Sequence, residues 1–242
     1  NSAALAQPIA SDLAELLRPQ TIIGKIEGFR RVPFNIRSVV QSAGATGGFV
    51  GEGAPIPVTA GAYSTNTALS LLGVGAISVL TAELVRLSSP AAEATVSADV
   101  TAGLSAALDL AFIDPSSAGI AGVQPASVTY GAASVTSSGN TLAEIDADLK
   151  AVLQKAFDAN IGLTAPAWVM SPKTAASLSL MRGDGGALAY SGIGPQGGTL
   201  LNIPVVTSTA VKASGSPAAA YIGLLDASEI LLADDGGASL DF

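Results

Sequence analysis

The feature that most restricts the fold of this chain is the order of residues from Trp168 to Ser208, WVMSPKTAASLSLMRGDGGALAYSGIGPQGGTLLNIPVVTS. Trp168, Val169 and Met170 are apolar and β-prone, which predicts a buried strand. Ser171-Pro172 then supplies a preferred N-cap residue followed by proline at the first helical position. Ala175, Leu178 and Met181 recur at helical spacing until Gly183, so a short helix with one inward stripe is expected there. Seven glycines and Pro195 between Gly183 and Gly198 predict a long loop, too flexible for a helix or a central strand. Leu200 to Val206 predicts a turn into a second buried strand, with Pro204 tolerable near its start or at an edge. A strand, a helix, a glycine-rich segment and a second strand together define an α+β layer.

The rest of the chain has to support that layer without covalent or metal staples. It has no cysteine and no histidine, which excludes ordinary zinc, iron and copper sites and leaves carboxylates, lysines and hydroxyls as reactive groups. Its 242 residues suffice to bury roughly 70% of the unfolded surface, so disulfides are not needed. Only 12% of residues are charged, about half the usual share, and the mean hydropathy is +0.51. The longest apolar run, Ala68 to Ala82, has 15 residues broken by glycine, serine and threonine, short of the roughly 20 of a spanning helix. Apolar surface covered by contacts between subunits is the better explanation. Five of the eleven basic residues (Arg18, Lys25, Arg30, Arg31, Arg37) lie near the N-terminus, and five acids but no base follow Lys212. A basic arm and an acidic tail can meet in neighbouring copies, or simply be two solvated ends. The net charge of -8 argues against strong direct binding of nucleic acid.

Along the chain, Ile9, Leu13, Leu16 and Leu17 predict an amphipathic arm helix over Pro8 to Arg18, ended by Pro19. Residues Arg31 to Ser78 predict one long hairpin: Val32, Phe34, Ile36 and Val39 descend in near alternation, and Thr67, Leu69, Leu71 and Val74 return. Its tip, Gly44 to Pro57, is rich in glycine and proline. A two-stranded ribbon is marginal alone in water and has to lie on something. Ser88-Ser89-Pro90 opens a long helix, Pro90 to Ala111, with Val96, Val100, Leu104 and Leu108 as its expected packing stripe and Ala91, Ala94, Ala98 and Ala102 as a second face. Thr141 and Glu144 form a capping box ahead of Leu142, Ile145, Leu149, Val152, Leu153, Ala156 and Phe157, and Asn160 or Gly162 ends that helix. Tyr221 to Leu225 and Glu229 to Ala233 are strand-like.

No motif argues for catalysis. Gly192, Gly194 and Gly197 match the dinucleotide fingerprint formally, but they neither follow a strand nor open a helix, and Pro195 sits among them. Glu144, Asp146 and Asp148 fan apart on a helix, and Asp234-Asp235 belong to a turn, so neither group is read as a metal site. Cap and first-turn roles account for Ser171 and Lys173 without a Ser/Lys hydrolase. No cofactor is expected.

Several of these segments, in this order, resemble the HK97-type phage major capsid proteins. The helix-opening Pro172-Lys173, the Asn202-Ile203-Pro204-Val205-Val206 turn and strand, the GEGAPIPV element of Gly51 to Val58, Thr81-Ala82-Glu83-Leu84 ahead of the long helix, and Gly119-Ile120 with Gln124-Pro125 after it are similar to elements of that family. The resemblance implies an α+β, HK97-like fold: an N-terminal arm (1–30), an E-loop hairpin (31–78), a P-domain with spine helix (79–125 and 222–242) and an α/β A-domain (126–221). It further implies a non-enzymatic subunit that self-assembles, through pentamers and hexamers, into an icosahedral shell around double-stranded DNA. Scaffold, protease, portal and decoration proteins are the implied partners, DNA is contacted only indirectly and no membrane is involved. The location is the virion, with assembly in the host cytoplasm. Arg37, Phe49, Glu52, Ile56, Asp184, Tyr190 and Pro195 are the residues expected to touch neighbouring copies. The chain departs from the family in ending at Phe242 without a further arginine- and aromatic-rich strand, and in having no lysine between Lys25 and Lys150 for a covalent cross-link from the E-loop. Two other readings stay open: an encapsulin-like compartment holding protein cargo, and an α+β enzyme using carboxylates.

Overall fold

A computed structural model describes residues 20–34, 39–43, 62–65, 69, 71–77, 90–183, 185–211 and 220–234. Its elements in chain order are α1 (Ile22–Lys25), β1 (Arg30–Arg31), β2 (Val39–Ala43), β3 (Ala62–Thr65), α2 (Pro90–Ile113), α3 (Leu142–Asp158), β4 (Pro166–Met170), α4 (Pro172–Ser179), β5 (Ile193–Gly194), β6 (Gly197–Leu200), β7 (Ile203–Thr207), β8 (Ile222–Asp226), a 3-10 turn at Ala227–Glu229 and β9 (Leu231–Leu232).

The Trp168 strand forms as expected and is buried on both faces. Successive side chains of a strand point to opposite sides, so β4 divides its residues between two cores. Ala167 and Val169 pack with Ile22, Ile26, Ile113, Val206, Leu225 and Ala227. Trp168 and Met170 pack with Leu149, Ala175, Leu178, Ile193, Leu200 and Val205. The N-terminal segment and the end of α2 therefore cover one face of the sheet, and α3 and α4 cover the other. Trp168 is wholly buried, and its indole nitrogen has no hydrogen-bond partner.

The sheet has the order β5-β6-β7-β4-β8. β4 runs parallel to β7, with Trp168 opposite Val205 and Met170 opposite Thr207, and antiparallel to β8. Pro204 sits just before the parallel ladder begins at Val205, where its missing N–H interrupts no bond to β4. The glycine segment differs from the expected loop. Ile193-Gly194 and Gly197 to Leu200 pair as a tight hairpin, and β6 pairs onward with β7, so these glycines occupy strands. Gly198 shows why: at φ +134°, a Cβ there would stand 2.1 Å from the Gly192 carbonyl oxygen. Ile193 is buried, so shortening this segment would remove part of the core rather than trim a loop.

The capping box ahead of α3 is realised in both directions between Thr141 and Glu144. At its other end Asn160 adopts φ +59°, the Ile161 N–H donates to the Ala156 carbonyl and the Asn160 N–H to the Phe157 carbonyl, a Schellman stop. Phe157 departs from expectation: it is 60% exposed, outside the packed stripe of Leu149, Val152 and Leu153. The long helix is real, but its buried stripe is Thr101, Ser105, Asp109 and Ile113, while Val96, Val100, Leu104 and Leu108 are only half-buried. β2 and β3 form an antiparallel ribbon inside the expected hairpin, with Val39 opposite Thr65 and an irregularity at Gln41 to Ala43, but of the described residues expected to form its strands only Val39 does so: Val32 and Leu69 carry no regular structure and Phe34 lies in a turn. Residues 71–77, expected to return as strand, carry no regular structure, and Leu71, Val74 and Ile77 are exposed. The arm helix, the hairpin tip, Thr81 to Leu84 and the turn after Asp234 lie outside the described residues.

Gly28 lets the N-terminal segment lie close to the sheet layer. Its φ is +97°, and a Cβ there would stand 2.6 Å from the Ala165 Cβ. Gly28→Ala should combine left-handed strain with that clash and destabilise the subunit by about 2 kcal/mol or more, read as a lower melting midpoint in a thermal scan.

Candidate assembly surface

Polar residues on the buried side of α2 create a junction of three segments. The Thr101 hydroxyl donates to the Ser97 carbonyl (2.7 Å) and that of Ser105 to the Thr101 carbonyl (2.8 Å), so these two satisfy themselves within the helix. Asp109, one turn on, reaches outward. Its Oδ1 accepts from the Ile22 N–H (2.7 Å) and its Oδ2 from the Ser208 hydroxyl (2.7 Å), which itself accepts from the Ala210 N–H (3.2 Å). One carboxylate thus caps α1 and holds the end of β7. Beside it lies a cavity of about 540 Å³ lined by Gln20, Lys25, Ala102, Asp109, Pro195 and Ser208, among others.

The opposite end of the sheet is fixed by Asp226. Its carboxylate accepts from the Thr164 and Ala165 N–H groups (3.0 and 3.1 Å) and from the Ser228 N–H and hydroxyl (3.0 and 2.7 Å). Burial opposes its charged form, but these donors outweigh burial and hold its pKa below the ordinary 3.8. On the α3 side, the Tyr190 hydroxyl donates to Asp146 Oδ1 at 2.5 Å. Burial and then that carboxylate push the tyrosine pKa well up, so it stays a neutral donor. This bond ties the segment before β5 to α3.

Of the residues expected to touch neighbours, the structure describes two. Tyr190 is half-buried and bonded to Asp146, and Pro195 is exposed at the β5–β6 turn on the cavity wall. Arg37, Phe49, Glu52, Ile56 and Asp184 lie outside the described residues. The acids of α3 fan apart: Glu144 is taken up by Thr141, Asp148 by Ser137 and Ser138, and Asp146 by Tyr190. Among the described residues no three metal-ligating side chains gather. Gly192 to Gly197 belong to the β5–β6 hairpin, not to a strand-to-helix phosphate loop. Ser171 acts as the α4 cap, its oxygen accepting from the Thr174 N–H at 3.1 Å. Residues missed by sequence reasoning are Asp109 and Asp226, and an aspartate set among the leucines and alanines at the C-terminal end of an apolar helix was the available signal for the first.

Val96–Ile113 is apolar and long enough to cross a bilayer by length and composition, although Asp99 and Asp109 interrupt it. Its Asp109 face is packed on this chain's own sheet layer, as in a helix of a folded domain.

What these elements make is a layered building block: a sheet plate, helices on one face, a long helix and the N-terminal segment on the other, and apolar side chains left at its edges. A sequence model of the phage capsid family matches residues 4–242, and the chain belongs to that family. It is also 40% identical over 237 residues to the capsid polyprotein of Pseudomonas phage PAJU2, covering 96% of this chain and 35% of that relative. The chain thus spans about a third of the length of that polyprotein. Family and relative identify a structural protein of a bacteriophage capsid.

Asp109→Ala should leave the buried Ile22 N–H without its acceptor and cost about 2–4 kcal/mol. Hydrogen exchange at Ile22 should quicken, with α3 protected as before. Because the folded pKa of Asp226 is depressed, its contribution is complete above 3.8, declines as pH falls below that value and vanishes beneath the folded pKa. Asp226→Asn should therefore flatten the acid side of the stability profile in pH-dependent melting.

Proposed function

We propose that this chain is a shell-forming major capsid subunit of HK97-like fold, assembling through pentamers and hexamers into an icosahedral shell around double-stranded DNA. The observation that carries the proposal is the family match across residues 4–242, joined to a long helix that follows an antiparallel ribbon and precedes an α/β layer. On this reading α2 is the spine of a P-domain (79–125 and 222–242), residues 126–221 are the A-domain, 31–78 the E-loop and 1–30 the arm. Arg37, Phe49, Glu52, Ile56, Asp184, Tyr190 and Pro195 are the proposed contacts between copies. The low charge of the chain supports association through apolar area, and its net charge of -8 fits a shell that contains DNA without gripping it. Scaffold, protease, portal and decoration proteins are proposed partners, with assembly in the host cytoplasm and no membrane involved.

Purified protein should form closed particles, or discrete pentamers and hexamers, in negative-stain images and light scattering. A monomer of 23.7 kDa at high concentration overturns the proposal. Particles that carry a specific protein cargo would shift the reading to an encapsulin-like compartment.

A further inference from the structure

The connection from α3 to β4 carries a strain that the helix stop does not explain. Asn160 is left-handed because it ends α3, but Leu163, further along, also has a φ of +45° with no helix left to end. Leucine avoids this region because its Cβ then crowds the following carbonyl oxygen. What the strain secures is the aim of the backbone. The next two N–H groups, of Thr164 and Ala165, both point at the Asp226 carboxylate (3.0 and 3.1 Å), an arrangement in which successive amides close round one anion.

Asp226 has a second pair of donors, the Ser228 N–H and hydroxyl (3.0 and 2.7 Å). One buried carboxylate therefore joins the start of β4 to the 3-10 turn after β8, and the Ala227 N–H closes the same join by donating to the Ala165 carbonyl (2.9 Å). The N-terminal segment rests on it, since a Cβ at Gly28 would stand 2.6 Å from the Ala165 Cβ and 3.9 Å from that of Ala227. Four converging donors suit a carboxylate and do not suit a carboxylic acid, one oxygen of which must itself donate. The charged side chains on the elements round the join, Glu27, Arg30, Arg31, Lys155, Asp158 and Glu229, are all exposed and none adds a charge interaction with Asp226. Burial and these hydrogen bonds alone decide its protonation.

We propose that Asp226 is an acid-released latch: protonation of its carboxylate frees the strained Leu163 connection and the 3-10 turn together, so that this join opens while the ladder of β4 with β7 stays closed. The latch is a property of the single subunit and does not rest on the shell reading. Because the donors hold the closed carboxylate below the ordinary 3.8, opening starts as pH falls through 3.8 and deepens until the folded pKa is passed.

Hydrogen exchange of the full chain tests this, followed by mass spectrometry from neutral pH down to about pH 2.5 and corrected for the intrinsic exchange rate. Peptides covering Leu163 to Pro166 and Asp226 to Glu229 should lose about tenfold in protection below pH 3.8, before those covering Val205 to Thr207 lose any. Simultaneous loss in all of them overturns the latch. Leu163→Gly removes the strain and keeps every donor, so at the same acid pH it should open about tenfold less. Opening equal to or greater than that of the wild type overturns the proposal. Asp226→Asn should show reduced protection at the join already at neutral pH and no further loss with acid. A loss that tracks the wild type assigns the acid response to another group and overturns the latch as well. Should that variant fail to fold, the wild-type and Leu163→Gly profiles decide alone.

Discussion

The structure depends on the burial of β4 from both sides. A five-residue strand cannot hide its own faces, so the chain must deliver cover to each. Cover on one face comes from α3 and α4, which flank β4 in sequence and need only short connections. Cover on the other comes from Ile22 and Ile26, more than a hundred residues away, and from Ile113 at the end of α2. The local half can form early, whereas the distant half closes the fold and brings the N-terminal segment, the long helix and the sheet into one body. Gly28 at Ala165 and the edge-on contact of Phe29 with Phe112, 6.3 Å between centroids, lie along that closing seam.

The seam is polar where it could have been apolar. α2 turns Thr101, Ser105 and Asp109 inward and leaves Val100, Leu104 and Leu108 half-exposed. Within a monomer this looks backwards, since burying those aliphatic side chains would stabilise more than burying hydroxyls. It follows from the geometry of Asp109: a carboxylate that must meet both the Ile22 N–H and the Ser208 hydroxyl fixes the rotation of the helix about its axis. The aliphatic stripe is then left half-exposed, on a protein that is only 12% charged and belongs to a family of capsid proteins.

Legibility in the sequence followed the range of the determining interaction. The Thr141–Glu144 box, the Ser171-Pro172 helix start and the Asn160 stop were readable because each is settled within four residues. So was β4, whose apolar composition allows little else. The buried face of α2 was misread because two four-residue stripes compete on one helix, and a partner 87 residues away in sequence decides between them. The end of the glycine segment, from Ile193 onward, was misread as a loop because glycine lacks the side chain from which a strand is recognised. In β5 and β6 the close approach of neighbouring backbones requires that lack. Of the residues expected to touch neighbouring copies only Tyr190 and Pro195 are among those described, and a single chain contains no neighbour to place against them.

The unpartnered indole of Trp168 has a practical corollary. It is the only tryptophan in the chain, it sits in the core shared by β4, α3 and α4, and its ring nitrogen bonds to nothing. Its emission should lie toward short wavelengths and report on that core alone, because no part of it reaches the surface. Joining of subunits at their edges should leave this signal still, while opening of the sheet layer should shift it to the red. The molecule therefore contains an optical channel in which unfolding of that core is reported by the position of one side chain.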